Sequence, residues 1–204
     1  MYYLQPISVT LILNLTPIFV LAFSVLFLDE KPSFPQLLGI GLSLCGVFTF
    51  FYSSLQVLEE VTGLVVTLFS GIGWAAYMVL SRCLLRDSEE NVMVMTSYSM
   101  VLGVLMLLAT AEASGNIASV SFTGWSIIAW LSIVNTAVAF VLWNHSLKSL
   151  KVYEQSILQN TMLVQIALMS TVFLNEQLTM NKILGMTMVF FGVLVVQLKR
   201  QTKI

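Results

Sequence analysis

Of the 204 residues in this chain, 58% are hydrophobic and 9% are charged, and the formal net charge is -1. A water-soluble domain carries about 25% charged residues, so this composition excludes an ordinary soluble globule and points to a chain solvated by lipid. The near-neutral charge, with no basic run, excludes a nucleic-acid partner, and two distant cysteines, Cys45 and Cys83, do not make a secreted disulfide framework.

The elements follow in chain order. The opening Met1-Tyr2-Tyr3-Leu4-Gln5-Pro6 has no positively charged segment and no small-residue cleavage site, so it does not read as a signal peptide. A spanning helix needs about 20 apolar residues, and seven stretches come close: residues 8–28, 37–53, 63–84, 92–111, 125–144, 155–174 and 183–198. Asp29-Glu30-Lys31-Pro32 stops the first, because proline and charge both oppose continuation. The seventh is short, but Lys182 and Lys199 can snorkel at its ends. The expected fold class is all-α, a polytopic membrane bundle of about seven transmembrane helices. The connecting loops are short and polar, and none holds a second domain.

Alternate loops differ in charge. One set holds Lys31, Arg82, Arg86, Lys148 and Lys151, and the C-terminal tail adds Lys199, Arg200 and Lys203; the other set holds Lys182 alone. Cationic loops stay in the cytoplasm. The expected orientation is therefore N-terminus outside and C-terminus cytoplasmic, in the plasma membrane.

Displaced by 146 positions, the sequence falls on itself. Asn14 meets Asn160, Ser24 meets Ser170, and Phe27-Leu28-Asp29-Glu30 meets Phe173-Leu174-Asn175-Glu176. Leu38-Gly39 meets Leu184-Gly185, and Gly46-Val47 meets Gly192-Val193. Matching helices are an odd number of spans apart, so the two copies face opposite ways across the membrane. Inverted repeats of this kind build many secondary transporters. A five-plus-five unit needs ten helices. Residues 1–55 hold the last two of a first repeat, residues 56–204 hold a complete second one, and three further helices are expected ahead of Met1.

The chain resembles the EamA-type transporters of the drug/metabolite transporter superfamily. Asn14-Leu15-Thr16-Pro17-Ile18-Phe19, Phe27-Leu28-Asp29-Glu30-Lys31, Leu37-Leu38-Gly39-Ile40 and Cys45-Gly46-Val47 are similar to the close of one EamA unit. Gly73-Trp74-Ala75-Ala76-Tyr77 with Ser81-Arg82 looks like the opening helix of the next, and Asn175-Glu176-Gln177-Leu178-Thr179 through Gly185 and Gly192 like its close. One departure stands out: Leu163 lies opposite Pro17. The resemblance implies a carrier of small metabolites, amino acids or drugs, often outward, with no cofactor.

The spans contain no charged residue near their centres, so no proton-coupling carboxylate is identified there. Glu112 and Glu154 fall at helix ends, where coupling is one reading. The candidate solute-binding residues are the mid-span amides Asn14, Asn135, Asn160 and Gln165 with the aromatics Trp74, Tyr77 and Tyr98. Amides and rings can hold an organic solute by hydrogen bonds and stacking; the alternative is plain interhelical hydrogen bonding. Glu30 and Glu176 read either as gate residues or as caps for the following helix. Gly39, Gly46, Gly71, Gly73, Gly185 and Gly192 read as close-packing positions. The single histidine, His145, cannot make a metal site alone, and no catalytic constellation is present, so an enzyme is not expected. The expected partners are a small organic solute and the lipid bilayer, with a homodimer left open. The competing reading is a truncated, non-transporting membrane protein or interaction partner; a seven-helix receptor is weaker, because the inverted repeat opposes it.

Overall fold

A computed structural model describes residues 6–52, 61–86, 91–114, 121–174 and 178–198. Among them every regular element is helical. In chain order these are α1 (Pro6–Asn14), α2 (Thr16–Phe27), α3 (Phe34–Phe51), α4 (Val61–Arg86), α5 (Val92–Ser114) and α6 (Phe122–Trp130). A π-helical segment (Leu131–Val138) then leads into α7 (Ala139–Ser146), α8 (Val152–Gln159), α9 (Thr161–Leu174) and α10 (Met180–Leu198). They form seven stretches long and apolar enough to cross a bilayer, from Val9–Phe27 to Met180–Leu198. The all-α, seven-span architecture expected from hydropathy is the one found.

The ends differ in instructive places. The sixth span opens at Val152 rather than at 155, because Glu154 belongs to its first turn. There it accepts a hydrogen bond from Lys151 N–H at 3.1 Å, and the free N–H groups of a helix start favour a carboxylate. The third helix opens at Phe34, where Gln36 Oε1 accepts from Ser33 N–H at 3.0 Å, one half of a capping box, and Pro35 fits the first turn at no cost in lost bonds.

By packing, the chain divides into two compact units, Met1–Leu80 with Lys151–Ile204, and Ser81–Leu150. The first holds a core of Leu11, Ile40, Val47, Tyr153, Ile157, Leu163, Val189 and Val193 among others. Its centre is an antiparallel crossing of α3 and α10 at four glycines. A Cβ built on Gly39 would meet Gly192 O at 2.7 Å, and one on Gly192 would meet Gly39 O at 2.6 Å. Gly46 and Gly185 meet each other's carbonyls at 2.7 Å in the same reciprocal way. Small residues let membrane helices approach this closely, and packing rather than hydrophobicity holds such a contact in lipid. Gly73 is different: a Cβ there meets nothing within 4 Å, and one on Gly71 meets only Thr16 Oγ1 at 3.4 Å, so the packing role expected of Gly73 is not found.

Gly39 and Gly185, and Gly46 and Gly192, stand 146 positions apart, and that displacement maps the Gly39–Gly192 contact onto the Gly185–Gly46 contact, as a two-fold relation would. Ser24 Oγ donates to Leu21 O at 2.9 Å and its mate Ser170 donates to Ala167 O at 3.1 Å. Ile40 with Met186, and Val47 with Val193, are buried pairs at equivalent positions.

In the second unit, the buried Arg82 donates to the carbonyls of Leu147 and Lys148 at the end of α7, where a cation opposes the negative end of the helix dipole. Buried Asn144 donates to Thr96 Oγ1 at 2.9 Å. His145, beside it, is exposed.

Candidate solute site

Two spans of the first unit are broken, at places that the 146-residue displacement matches to within one residue. The first is interrupted between α1 and α2, where Leu15 N–H bonds to Ile12 O and Ile18 N–H to Leu15 O, both at 3.0 Å. The second is interrupted between α8 and α9, where Asn160 N–H bonds to Ile157 O and Leu163 N–H to Asn160 O, both at 3.1 Å. These are tight three-residue turns in place of α-helical bonds. Pro17 explains the first: it has no N–H to donate, and it sits in the first turn of α2 where none is needed. The second break survives with Leu163 in the proline's place. Asn160 stands there instead, a residue that competes poorly in helix interiors, with its side chain turned to Ser43 Oγ on α3 at 3.5 Å. Broken helices of this kind form the solute sites of inverted-repeat transporters.

Helix α4 presents one face to both breaks. Gly71 approaches Thr16, just past the first. Trp74, one turn on, donates its indole Nε1–H to Gln159 Oε1 at 3.2 Å, just before the second. Tyr77, three residues further along the same face, stacks on Trp74 with ring centroids 5.5 Å apart and planes at 29°. Trp74 and Tyr77 are both half-buried. The result is an aromatic plate fixed at one edge by an amide, a surface that offers stacking and hydrogen bonding without a formal charge.

The structure thus brings Trp74 and Tyr77 together with the Gln159–Asn160 break, and Asn160 is buried at 1% exposure. Asn14 lies at the first break but turns its amide back to Thr10 O at 2.7 Å. Gln165 is exposed on α9, Tyr98 is exposed on α5, and Asn135 is exposed within the π-helical segment. Gln159 escaped the sequence reading, although an adjacent Gln-Asn pair inside an apolar span was the available signal. Glu30 caps a helix, but not the following one: its Oε2 accepts from Val152 N–H at the start of α8, at 3.0 Å. The side chain of Glu112, the whole of Glu176 and the cations of the C-terminal tail lie outside the described residues.

The chain has known relatives. The model of the EamA-like transporter family matches residues 1–52 and 61–198. An uncharacterized transporter of Archaeoglobus fulgidus is 30% identical over 91% of this chain and 64% of its own length. The uncharacterized transporter YyaM of Bacillus subtilis is 24% identical over 94% of this chain and 64% of its own. The chain therefore spans a little under two thirds of the length of these relatives. A protein solved by crystallography superposes with a TM-score of 0.80 at 17% identity, covering all of this chain and 71% of that one, and shares the fold. Motif order, helix count and a family match over nearly the whole sequence agree: the chain belongs to the EamA-like transporter family.

Proposed function

We propose that the chain works in a carrier that moves small organic solutes (metabolites, amino acids or drugs) outward across the plasma membrane by alternating access. The observation that carries this reading is the pair of helix breaks, matched to within one residue by the 146-position displacement and flanked by the Trp74–Tyr77 plate and Gln159. Breaks free backbone groups to meet a solute, and the ring plate and amides supply stacking and orientation. No charged side chain belongs to this group, which favours a solute with a flat or apolar part over a bare inorganic ion. Residues 1–55 and 56–204 act as parts of two inverted repeats, with the N-terminus outside and the C-terminus in the cytoplasm. The reciprocal glycine contacts and the lopsided lysine and arginine distribution support these two points.

The test is solute flux in proteoliposomes. Trp74→Ala is expected to abolish saturable uptake or raise KM at least about tenfold, the loss of one base-sized stacking partner. Gln159→Leu, which removes only the acceptor that fixes the indole, is expected to raise KM a few-fold. Unchanged kinetics in both variants removes this site. Correct insertion of the parent chain with no saturable flux for any solute favours the second reading, a non-transporting membrane protein or interaction partner.

A further inference from the structure

We propose that a polar lock joins the two repeats on one face of the molecule, and that this face opens to solute only when the lock parts; the inference rests on the carrier reading above. The lock gathers at the start of α8. Glu30, on the turn after α2, accepts from Val152 N–H at 3.0 Å. Glu154 accepts from Lys151 N–H through Oε2 at 3.1 Å and from Gln36 Nε2 through Oε1 at 3.1 Å. Gln36 Oε1 in turn accepts from the Tyr153 hydroxyl at 3.1 Å and from Ser33 N–H at 3.0 Å. Gln197, on α10, donates to Glu154 O at 3.3 Å. Lys151 Nζ lies 5.7 Å from the centre of the Tyr153 ring. Glu30, Gln36, Tyr153 and Glu154 are all buried.

The contacts of Glu30 with Val152, and of Gln36 with Glu154 and Tyr153, join residues 30–36 of the first repeat to residues 152–154 of the second. Charge-assisted bonds in a water-poor setting are the strong ones, and here they bridge segments of the two repeats, which must part at one face for alternating access to work. The lock lies at the loops that the charge rule assigns to the cytoplasm. Val152 is eight residues before Asn160, so about 12 Å of helix separates the lock from the break.

Shifted by 146 positions, Gln36 corresponds to Lys182, Glu154 to Ser8, Tyr153 to Ile7, Gln197 to Phe51 and Val152 to Pro6, which has no N–H to give. Of this set the sequence repeats the glutamate, as Glu176. The residues of the fastening are therefore particular to the face at the start of α8, and among the described residues that face is held shut.

Ser156 tests this. It is buried at 1% exposure between the lock and the break, and Ser156→Cys alters little volume. In the full chain, with Cys45→Ser and Cys83→Ser, that thiol is labelled with a membrane-impermeant maleimide from each side of sealed membranes, alongside flux. Gln36→Leu and Glu154→Gln are each expected to raise the cytoplasmic labelling rate about tenfold, as losing one charge-assisted bond does to a two-state equilibrium. Tyr153→Phe, a milder change that spares folding, is expected to raise it about two- to threefold. No rise is expected from outside. Unchanged cytoplasmic rates in all three variants overturn the lock, as does an equal rise from both sides, which reports a loosened fold. Flux separates the two ideas: a parent chain with no saturable flux fails the carrier reading, whereas intact flux with unaltered labelling fails the lock alone.

Discussion

Asp29 takes a φ of 53°, a region that aspartate tolerates and β-branched residues do not. This single turn returns Glu30 N–H to Ser24 O at 3.2 Å and leaves the Glu30 carboxylate free to reach Val152. Asp29→Gly is expected to match or exceed the parent in thermal midpoint in detergent, because glycine meets no steric penalty there. Asp29→Val is expected to lower stability by about 1–2 kcal/mol, seen as a lower midpoint. At this scale the sequence was only partly legible. The shared face of Trp74 and Tyr77 was readable because two rings three apart lie together on a helix. The bonds of Gln36 to Glu154 and of Gln159 to Trp74 were not, because the partners lie more than eighty positions apart. Tyr98, Asn135 and Gln165 are exposed: composition gives the depth of a residue in the membrane, not the direction it faces.

Helices α3 and α10 meet backbone to backbone at four glycines, beneath side chains such as Val196 and Phe50, and this decides which glycines matter. Gly46→Ala would place a Cβ 2.7 Å from Gly185 O and from Val189 N. Backbone cannot yield as a side-chain tip can, so the cost is about 1–3 kcal/mol and the thermal midpoint falls. Gly41, on the same helix, meets nothing within 4 Å. Gly41→Ala is therefore expected to leave the midpoint unchanged or raise it, since alanine favours helix by about 0.5–1 kcal/mol over glycine. Equal losses for the two variants would refute the seam. The repeat was visible in sequence because it preserved these glycines at fixed offsets. The break at Asn160 was hidden, since the expected marker was a proline and Leu163 occupies its place.

Across the whole chain, hydropathy gave the spans because each is an average over many residues, so no single side chain could mislead it. It could not give coverage. The spans Val92–Thr110 and Phe122–Ser146 are buried over 11% and 0% of their windows, against 28–39% for the other five, although the fourth and fifth are among the most apolar. Orientation rests on a sum in the same way. A fluorescent protein fused after Ile204 is expected to fold and glow while an alkaline phosphatase at the same place stays inactive; the reverse pattern would invert the assigned topology and move the lock to the outer face.

The four-glycine crossing has a mechanical consequence. The backbones touch at the glycines while Val196, Met188 and Phe50 pack over them, so the crossing is the point at which the two helices are held most closely. Helix α3 has 18 residues and so is about 27 Å long, with the crossing near its middle. A 10° swing about that point would carry Gln36 by about 2 Å, enough to part its 3.1 Å bond to Glu154, while Gly39 and Gly46, about half as far from the fulcrum, would move by about 1 Å.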